Sequence, residues 1–194
     1  MLKVFHEPAL DEVYVEGSNE EVFSGRLLKV QRDHVTLPNG SDTTREYIRH
    51  PGAVAIVPVL EDGRVVLVKQ CRYPLGTLLW EIPAGKLDHG EAEDKLECAK
   101  RELSEETGAS CETLTPLGEI LASPGGFTEV LHLYMATGLT FGSQHPDEDE
   151  FINFERVPFD TLLDRCLSGD LRDGKTVAGV LKVYALRTRK KEEK

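Results

Sequence analysis

A run of acidic residues between Arg101 and Gly108 carries the clearest chemistry in the sequence. With about 100° per residue in an α-helix, Glu102 and Glu106 lie about 40° apart, and Glu105 falls on the neighbouring face. Carboxylates clustered beside a buried stripe repel one another unless a cation lies between them. Oxygen ligands favour Mg²⁺ or Mn²⁺, which keep coordination positions for phosphate oxygens. The pattern therefore predicts a metal site or, as the plainer alternative, a solvated acidic helix face.

Composition excludes several classes of protein. The 194 residues include 23 Lys and Arg against 34 Asp and Glu, a net charge of −11, and 40% are hydrophobic. This acidic balance disfavours nucleic-acid binding, which needs a basic surface. No apolar stretch approaches the roughly 20 residues of a membrane helix, and the N-terminal residues are too polar for a signal peptide. We therefore expect a cytoplasmic protein that does not contact membranes. The four cysteines form no Cys-x-x-Cys pair, so we expect them to be free thiols.

Two regions must position these glutamates. Residues 1–50 predict a small antiparallel β unit with a turn at Pro38-Asn39-Gly40, and residues 51–194 form the main domain. The strongest helix pattern spans 93–107, with an apolar stripe of Leu96, Ala99 and Leu103 and with Gly108 as its C-terminal cap. Strands followed by a helix, more strands and two helices indicate an α/β (α+β) fold. Strands are expected near 53–60, 65–68, 78–82, 114–121, 130–137 and 151–157, of which the first two have the apolar character of buried strands, and the closing helices are expected near 158–167 and 177–187.

The acidic helix and the loop before it resemble the Nudix box, G-x5-E-x7-R-E-U-x-E-E-x-G-U, where U is a bulky aliphatic residue. The Arg-Glu-Leu-Ser-Glu-Glu-Thr-Gly half matches in full. Glu93 has the correct spacing to Arg101 but lies two residues too far from Gly85, whereas Glu91 has the correct spacing from Gly85. We favour Glu93, because an insertion in the polar loop leaves the helix face unchanged.

This resemblance implies a Nudix-like α/β/α sandwich with a mixed sheet, and hydrolysis of a nucleoside diphosphate linked to another group. It also implies that Glu102 and Glu106 bind Mg²⁺, or Mn²⁺ in its place, with the Ala84 carbonyl as a further ligand. Glu105 supports them, and Arg101 is expected to orient the carboxylates. The metal would neutralise phosphate oxygens and prepare a water for in-line attack.

Other stretches resemble the ADP-ribose pyrophosphatase branch of this family. They are residues 45–55, residues 70–73 and a Ser-Pro-Gly element whose Pro124 lies sixteen residues after Gly108. The branch implies hydrolysis of ADP-ribose to AMP and ribose 5-phosphate by a homodimer, in which residues 20–50 contribute to the partner's site. Two alternatives stay open: a nucleotide sugar such as GDP-mannose as the substrate, or a non-catalytic domain that senses a ligand.

The branch also implies a catalytic glutamate in a loop after the box. The polar segment 140–146 has the character of a mobile lid, and we expect Glu148 to be the general base and Glu150 a further metal ligand, with the reverse assignment left open. Cations must meet the substrate's phosphates, and an aromatic ring must stack on adenine. Tyr73 and Phe23 suit that ring, whereas Trp80 also suits the core. The expected substrate-binding residues are Arg45, Arg72, Glu81, Pro124, Gly125 and Glu129.

Residues 169–176 match the P-loop pattern letter for letter, but their context does not fit. A P-loop follows a buried strand, whereas this segment follows a predicted helix, and Asp170 and Asp173 would repel phosphate. We therefore reject a P-loop phosphotransferase. We expect a turn at Asp173-Gly174 and Thr176 as the cap of the last helix.

Overall fold

The computed structural model describes residues 6–87, 92–146 and 151–192 of the chain. They form two compact units. The first contains the residues up to His50 together with Ser123–Glu129, and the second contains Pro51–Ala122 and the residues from Val130 onward. The segment 123–129, which the sequence analysis had placed in the main domain, clusters with the first unit because Phe127 pairs with Ile48.

The first unit is an antiparallel sheet of four strands: β1 (Val13–Tyr14), β2 (Glu20–Ser24), β3 (Lys29–Thr36) and β4 (Asp42–Ile48). β3 lies at its centre and pairs with all three others. Between β3 and β4, Asn39 accepts the backbone N–H of Ser41, and Gly40 has a φ of 82°. The left-handed conformation favours glycine, and the predicted Asn-Gly turn is confirmed.

The second unit contains two sheets and three helices. One sheet has the order β8-β5-β10-β9, with β5 and β10 parallel and the other pairs antiparallel, and the other is antiparallel with the order β11-β6-β7. Its strands are β5 (Ala53–Pro58), β6 (Arg64–Arg72), β7 (Thr77–Glu81), β8 (Ala84–Lys86), β9 (Ala109–Ile120), β10 (Leu131–Phe141) and β11 (Asn153–Pro158). Its helices are α1 (Lys95–Thr107), α2 (Phe159–Ser168) and α3 (Gly174–Glu192).

β5 is buried along its whole length, and its two faces contact different helices. Its odd-numbered side chains pack in one apolar core with Val180 and Val183 of α3. Its even-numbered side chains pack in another core with Ala99 and Leu103 of α1. Because successive residues of a strand face opposite sides of a sheet, helices cover both faces. The predicted α/β/α sandwich with a mixed sheet is confirmed.

Helix α1 begins two residues later than predicted, at Lys95. The reason is its cap: the side chain of Asp94 accepts the backbone N–H groups of Leu96 and Glu97. Gly108 ends the helix as predicted, with a φ of 68°. The helix therefore runs without interruption through the acidic run, so the two extra residues of the motif lie before it.

The apolar stripe of α1 is correct at Ala99 and Leu103 and wrong at Leu96, which is 42% exposed in the first turn. Cys98 is buried instead. All four cysteines are free thiols, as predicted. In the described part of the chain, no helix is long and apolar enough to cross a membrane.

Candidate metal and substrate site

Helix α1 buries two of its glutamates. Glu102 is 8% exposed and Glu106 is 2% exposed, on the side of the helix that also buries Leu103. Burial of an unpaired carboxylate destabilises the folded state by roughly several kcal/mol, so this pair requires nearby positive charges or hydrogen-bond donors. The plainer alternative of a solvated acidic face does not describe these two side chains.

Strand β8 brings backbone against both carboxylates. The backbone N–H of Ala84 donates to Glu106 Oε2 at 3.0 Å. At Gly85, a Cβ atom would lie far closer than 3.0 Å to the carboxylate of Glu102. Only glycine therefore permits this approach, which gives the first residue of the motif a steric reason.

Arg101 joins the surrounding glutamates. Its Nη1 lies 2.9 Å from Glu102 Oε1 and 2.9 Å from Glu105 Oε2, and its Nη2 lies 3.7 Å from Glu93 Oε1. The role of Arg101 in orienting these carboxylates stays a prediction. Glu93 contacts this arginine, whereas Glu91 lies outside the described residues, so the preference for Glu93 stays a prediction too.

The donor set fits a divalent cation. Carboxylate oxygens of Glu102 and Glu106 lie against the backbone of Ala84 and Gly85, and hard cations such as Mg²⁺ take oxygen ligands of this kind. Within residues 6–87, 92–146 and 151–192, no three His, Cys, Asp or Glu side chains are grouped closely enough to hold a metal by themselves. A metal here would therefore need carbonyl, water or substrate oxygens as well.

The segment after β10 attaches to the C-terminal end of α1. The backbone N–H of Gly142 donates to the carbonyl of Gly108 at 2.7 Å, and that of His145 donates to the carbonyl of Glu105 at 3.0 Å. The side chain of Gln144 donates to the carbonyl of Glu106. These bonds satisfy carbonyls that a helix end leaves unpaired. The expectation of an open loop over 140–146 is wrong for its first two residues, which belong to β10. Glu148 and Glu150 lie outside the described residues.

A second ionic group lies at the end of β7. Arg72 donates from Nε to Glu81 Oε1 at 2.7 Å and from Nη2 to Glu81 Oε2 at 2.6 Å. Glu81 is fully buried, whereas the Arg72 side chain is 41% exposed. Burial by itself would raise the pKa of Glu81. The hydrogen bonds from Arg72 and the charge of Lys175 outweigh it, so this pKa lies below its ordinary value. Both carboxylate oxygens of Glu81 are bound inside the protein, and Arg72 is the member of this pair that reaches the surface.

Lys175 belongs to this ionic group, although the sequence analysis did not expect it there. Its Nζ forms an ion pair with Glu81 and lies 3.0 Å from Asp173 Oδ1. The predicted cap of the last helix is also wrong. Asp173 is the residue that accepts the backbone N–H of Thr176, at 3.0 Å. The Thr176 hydroxyl instead donates to Asp173 and accepts the backbone N–H of Ile82. The match to a P-loop pattern was the only signal at this position.

Four of the expected substrate-binding residues belong to the first unit. Arg45 pairs with Glu12, with N–O distances of 2.8 and 2.6 Å. Glu129 lies 3.8 Å from His50 Nε2. Pro124 and Gly125 form an exposed turn. Their contact with substrate stays a prediction.

The aromatic candidates differ in exposure. Tyr73 is 91% exposed, beside Arg72, and Phe23 in the first unit is 55% exposed. Trp80 packs against the apolar core, and the ammonium of Lys69 lies 5.2 Å from its ring centroid. Of the two in the second unit, only Tyr73 has a ring that is open to a stacking partner.

Comparisons with known proteins agree with this geometry. A methanol dehydrogenase activator of Bacillus methanolicus is 41% identical over 93% of this chain and 94% of its own length. An ADP-ribose pyrophosphatase of Bacillus subtilis strain 168 is 38% identical over 84% of this chain and 88% of its own. A GDP-mannose pyrophosphatase of Yersinia enterocolitica is 30% identical over 85% of this chain and 92% of its own.

The fold itself matches a solved structure. The crystal structure of an ADP compounds hydrolase superposes with a TM-score of 0.80 and covers 93% of this chain and 97% of its own, at 24% identity. The family model of the NUDIX domain matches residues 49–178, which include α1, the glycine of β8, Arg72 and Lys175. From this match and the buried glutamates that it spans, the chain belongs to the Nudix family.

Proposed function

We propose that this chain hydrolyses the diphosphate bond of ADP-ribose to AMP and ribose 5-phosphate, with Mg²⁺ as its metal. The observation that carries the proposal is the pair of buried glutamates, Glu102 and Glu106, against the glycine backbone of β8. The higher identity to an ADP-ribose pyrophosphatase than to a GDP-mannose pyrophosphatase, 38% against 30%, favours the adenosine compound.

In this proposal, Glu102, Glu106 and the Ala84 carbonyl hold the metal. The metal supplies positive charge to the diphosphate oxygens and acidifies a water ligand. Arg101 fixes the orientation of Glu102 and Glu105 through its 2.9 Å contacts. Held in this way, the carboxylates need no rearrangement when substrate arrives, which is the condition for electrostatic catalysis.

The substrate's phosphates meet Arg72, whose exposed guanidinium is anchored by Glu81. We propose Arg45, Pro124, Gly125 and Glu129 as contacts to the rest of the substrate, on sequence grounds alone. Glu148 accepts a proton from the attacking water, and Glu150 is a further metal ligand.

The two loop glutamates are distinguished by their metal dependence. We expect Glu148→Gln to lower kcat by roughly 10²–10⁴-fold at unchanged Mg²⁺ requirement, because an outer base does not hold the metal. Glu150→Gln should instead raise the Mg²⁺ concentration that gives half-maximal rate. The opposite pattern would exchange the two roles, and no effect from either would place the base elsewhere.

The test of the function is AMP release from ADP-ribose with Mg²⁺ and no second substrate. GDP-mannose, ADP-glucose and a nicotinamide dinucleotide are assayed beside it, and EDTA is the metal-free control. We expect kcat/KM for ADP-ribose to exceed that for GDP-mannose by about tenfold or more, since the site must pair with the edge of the base. A preference for GDP-mannose would support the alternative substrate, and no hydrolysis of any compound would contradict the proposal.

A second candidate function is a domain that binds a nucleotide without cleaving it, and the similarity to a methanol dehydrogenase activator is the observation that favours it. The intact set of Arg101 and its glutamates weighs against this reading, because binding alone does not require buried carboxylates. Calorimetric binding of ADP-ribose with Mg²⁺ and no product after long incubation would favour the sensor.

We also propose that the chain acts as a homodimer. The first unit exposes large apolar side chains, with Leu10 70% exposed, Leu27 68% and Phe23 55%. Large exposed apolar side chains mark contact surfaces where they lie together, which is the arrangement that this proposal requires. Light scattering at micromolar concentration should give twice the chain mass of 21.6 kDa. A fully active monomer would contradict this proposal.

A further inference from the structure

The first turn of α3 is bound to the end of β7 at two consecutive positions. Lys175 pairs with Glu81, and the next residue, Thr176, accepts the backbone N–H of Ile82 at 2.8 Å. Glu81 and Thr176 are both fully buried. Asp173, which caps the helix, has its Oδ1 atom 3.0 Å from Lys175 Nζ. The ammonium group is therefore held in one place by the helix start and by the strand end together.

Arg72 uses one edge of its guanidinium for Glu81. Nε and one N–H of Nη2 donate to the carboxylate, which leaves both protons of Nη1 and the second proton of Nη2. Among the described residues, Nη1 of Arg72 has no hydrogen-bond partner. The side chain is 41% exposed, so the remaining edge is available to an anion. A guanidinium can bind a carboxylate and a phosphate at once in this way, one on each edge.

The charges in this group depend on Lys175. With Lys175, the carboxylates of Glu81 and Asp173 face two cations; without it, they face Arg72 alone. An excess carboxylate behind the guanidinium would cancel the attraction of Arg72 for a phosphate. It would also leave part of the buried Glu81 carboxylate without a partner.

We propose that Lys175 is a positioning residue, which shares the Glu81 carboxylate so that Arg72 presents its open edge and positive charge to the diphosphate of the substrate. Lys175 itself does not meet the phosphates, because its side chain is 14% exposed and two carboxylates already surround it. The proposal rests on the proposed function in that it takes a nucleoside diphosphate compound as the ligand of Arg72.

Two measurements on the full-length chain test the proposal. One is calorimetric binding of ADP-ribose in EDTA, where no turnover occurs, and the other is KM and kcat with Mg²⁺. We expect Lys175→Met to raise Kd and KM about tenfold and to change kcat by less than about threefold, as loss of a charge that acts only on binding should. Lys175→Arg should restore both constants to within about threefold, because it returns the charge.

Lys182→Met is the matched control for loss of stability. Lys182 lies on the same helix, and its half-buried ammonium donates to the carbonyl of Leu117 at 2.8 Å, in a different part of the unit. We expect this variant to lower the melting temperature without a change in Kd. A second control repeats Lys175→Met in an Arg72→Ala background, where it should change Kd by less than about twofold, because the residue through which it acts is gone.

The outcomes separate the two proposals. Tenfold loss of binding with Lys175→Met in both backgrounds, or no loss in either, would overturn the positioning role. Wild-type binding without hydrolysis would overturn the proposed function alone, since the binding comparison still stands. No binding of ADP-ribose by the wild type would overturn both.

Discussion

The two ionic groups of the second unit differ in how their charges balance. In the first, the unbalanced group, Arg101 contacts Glu93, Glu102 and Glu105, and the buried Glu106 lies one helical turn after Glu102. In the second, the balanced group, Glu81 and Asp173 face Arg72 and Lys175 in equal number. Several carboxylates that share one guanidinium favour the approach of a further cation, whereas carboxylates that are each paired with a cation do not need one. The group on α1 is therefore suited to bind a metal ion, whereas the group at Glu81 is suited to fix the guanidinium of Arg72 in one position.

The largest effect is expected from removing a charge of the unbalanced group. Glu106→Gln keeps the shape of the side chain and loses the charge that attracts the cation, so kcat should fall by roughly 10³-fold or more at fixed Mg²⁺. Steady-state kinetics over a range of Mg²⁺ concentrations measures this. Glu97→Gln is the control, because Glu97 lies on the same helix but is exposed and pairs with Lys100. Wild-type turnover of Glu106→Gln at saturating Mg²⁺ would contradict the assignment.

A steric change should disturb the same group without altering its charge. In Gly85→Ala, the new Cβ would overlap the carboxylate of Glu102, so either that side chain or β8 must move. We expect a loss of about 10²-fold in kcat, because misplacement of about 1 Å has effects of this size. Gly174→Ala has open space around its Cβ position and serves as the control. Equal activity of the two variants would show that the close approach is unimportant.

The balanced group should affect stability, with a defined dependence on pH. Since the pKa of Glu81 is lowered in the folded protein, its stabilisation is present above the unfolded pKa and is lost as pH falls through the folded value. We expect Glu81→Gln to lower the free energy of unfolding by about 3 kcal/mol at neutral pH, and by much less at about pH 3. Urea unfolding at both pH values measures this. A difference that stays constant with pH would mean that the ionised form of Glu81 is not what stabilises the fold.

The smallest effect concerns a thiol beside the unbalanced group. Burial raises the pKa of Cys98 to about 12, and the nearby Arg101 only partly offsets this. The thiol should therefore be unreactive in the native protein, whereas the exposed Cys71 should react. Titration with a thiol reagent followed by mass spectrometry of peptides identifies which cysteine is modified. Early modification of Cys98 would mean that the interior near Arg101 opens readily.

Sequence spacing predicted α1 and its glutamates because the relation between them is local. Four residues along a helix bring Glu102 and Glu106 to one side wherever the helix lies, and the buried neighbours Ala99 and Leu103 follow the same period. The same rule failed in the first turn, where Cys98 is buried and Leu96 is 42% exposed. The local pattern therefore identified the glutamates of α1 but did not show how far along the helix the predicted apolar stripe is buried.

The balanced group was less accessible to sequence reasoning. Glu81 was expected to contact substrate, and nothing near it in the sequence indicates that α3 covers it. Lys175 lies 94 residues away from Glu81, inside a segment whose only recognisable pattern was a P-loop that its context excludes. The expected turn at Asp173-Gly174 was wrong, because Gly174 already belongs to α3 and Asp173 caps that helix. The Thr176 hydroxyl accepts the backbone N–H of Ile82, a contact that the local sequence does not indicate. Pairings over such distances are properties of the tertiary fold.

This separation along the chain has a consequence for the order in which the molecule folds. Glu106 and the Ala84 N–H that it binds are 22 residues apart, so the surroundings of α1 can assemble once that short stretch has been synthesised. Lys175 and Glu81 close a loop of 94 residues, which is slower to form because its closure costs more chain entropy. A nascent chain that still lacks α3 has its acidic helix but not Lys175, which pairs with Glu81. Arg72 is therefore held in its final state only after α3 has packed against the end of β7.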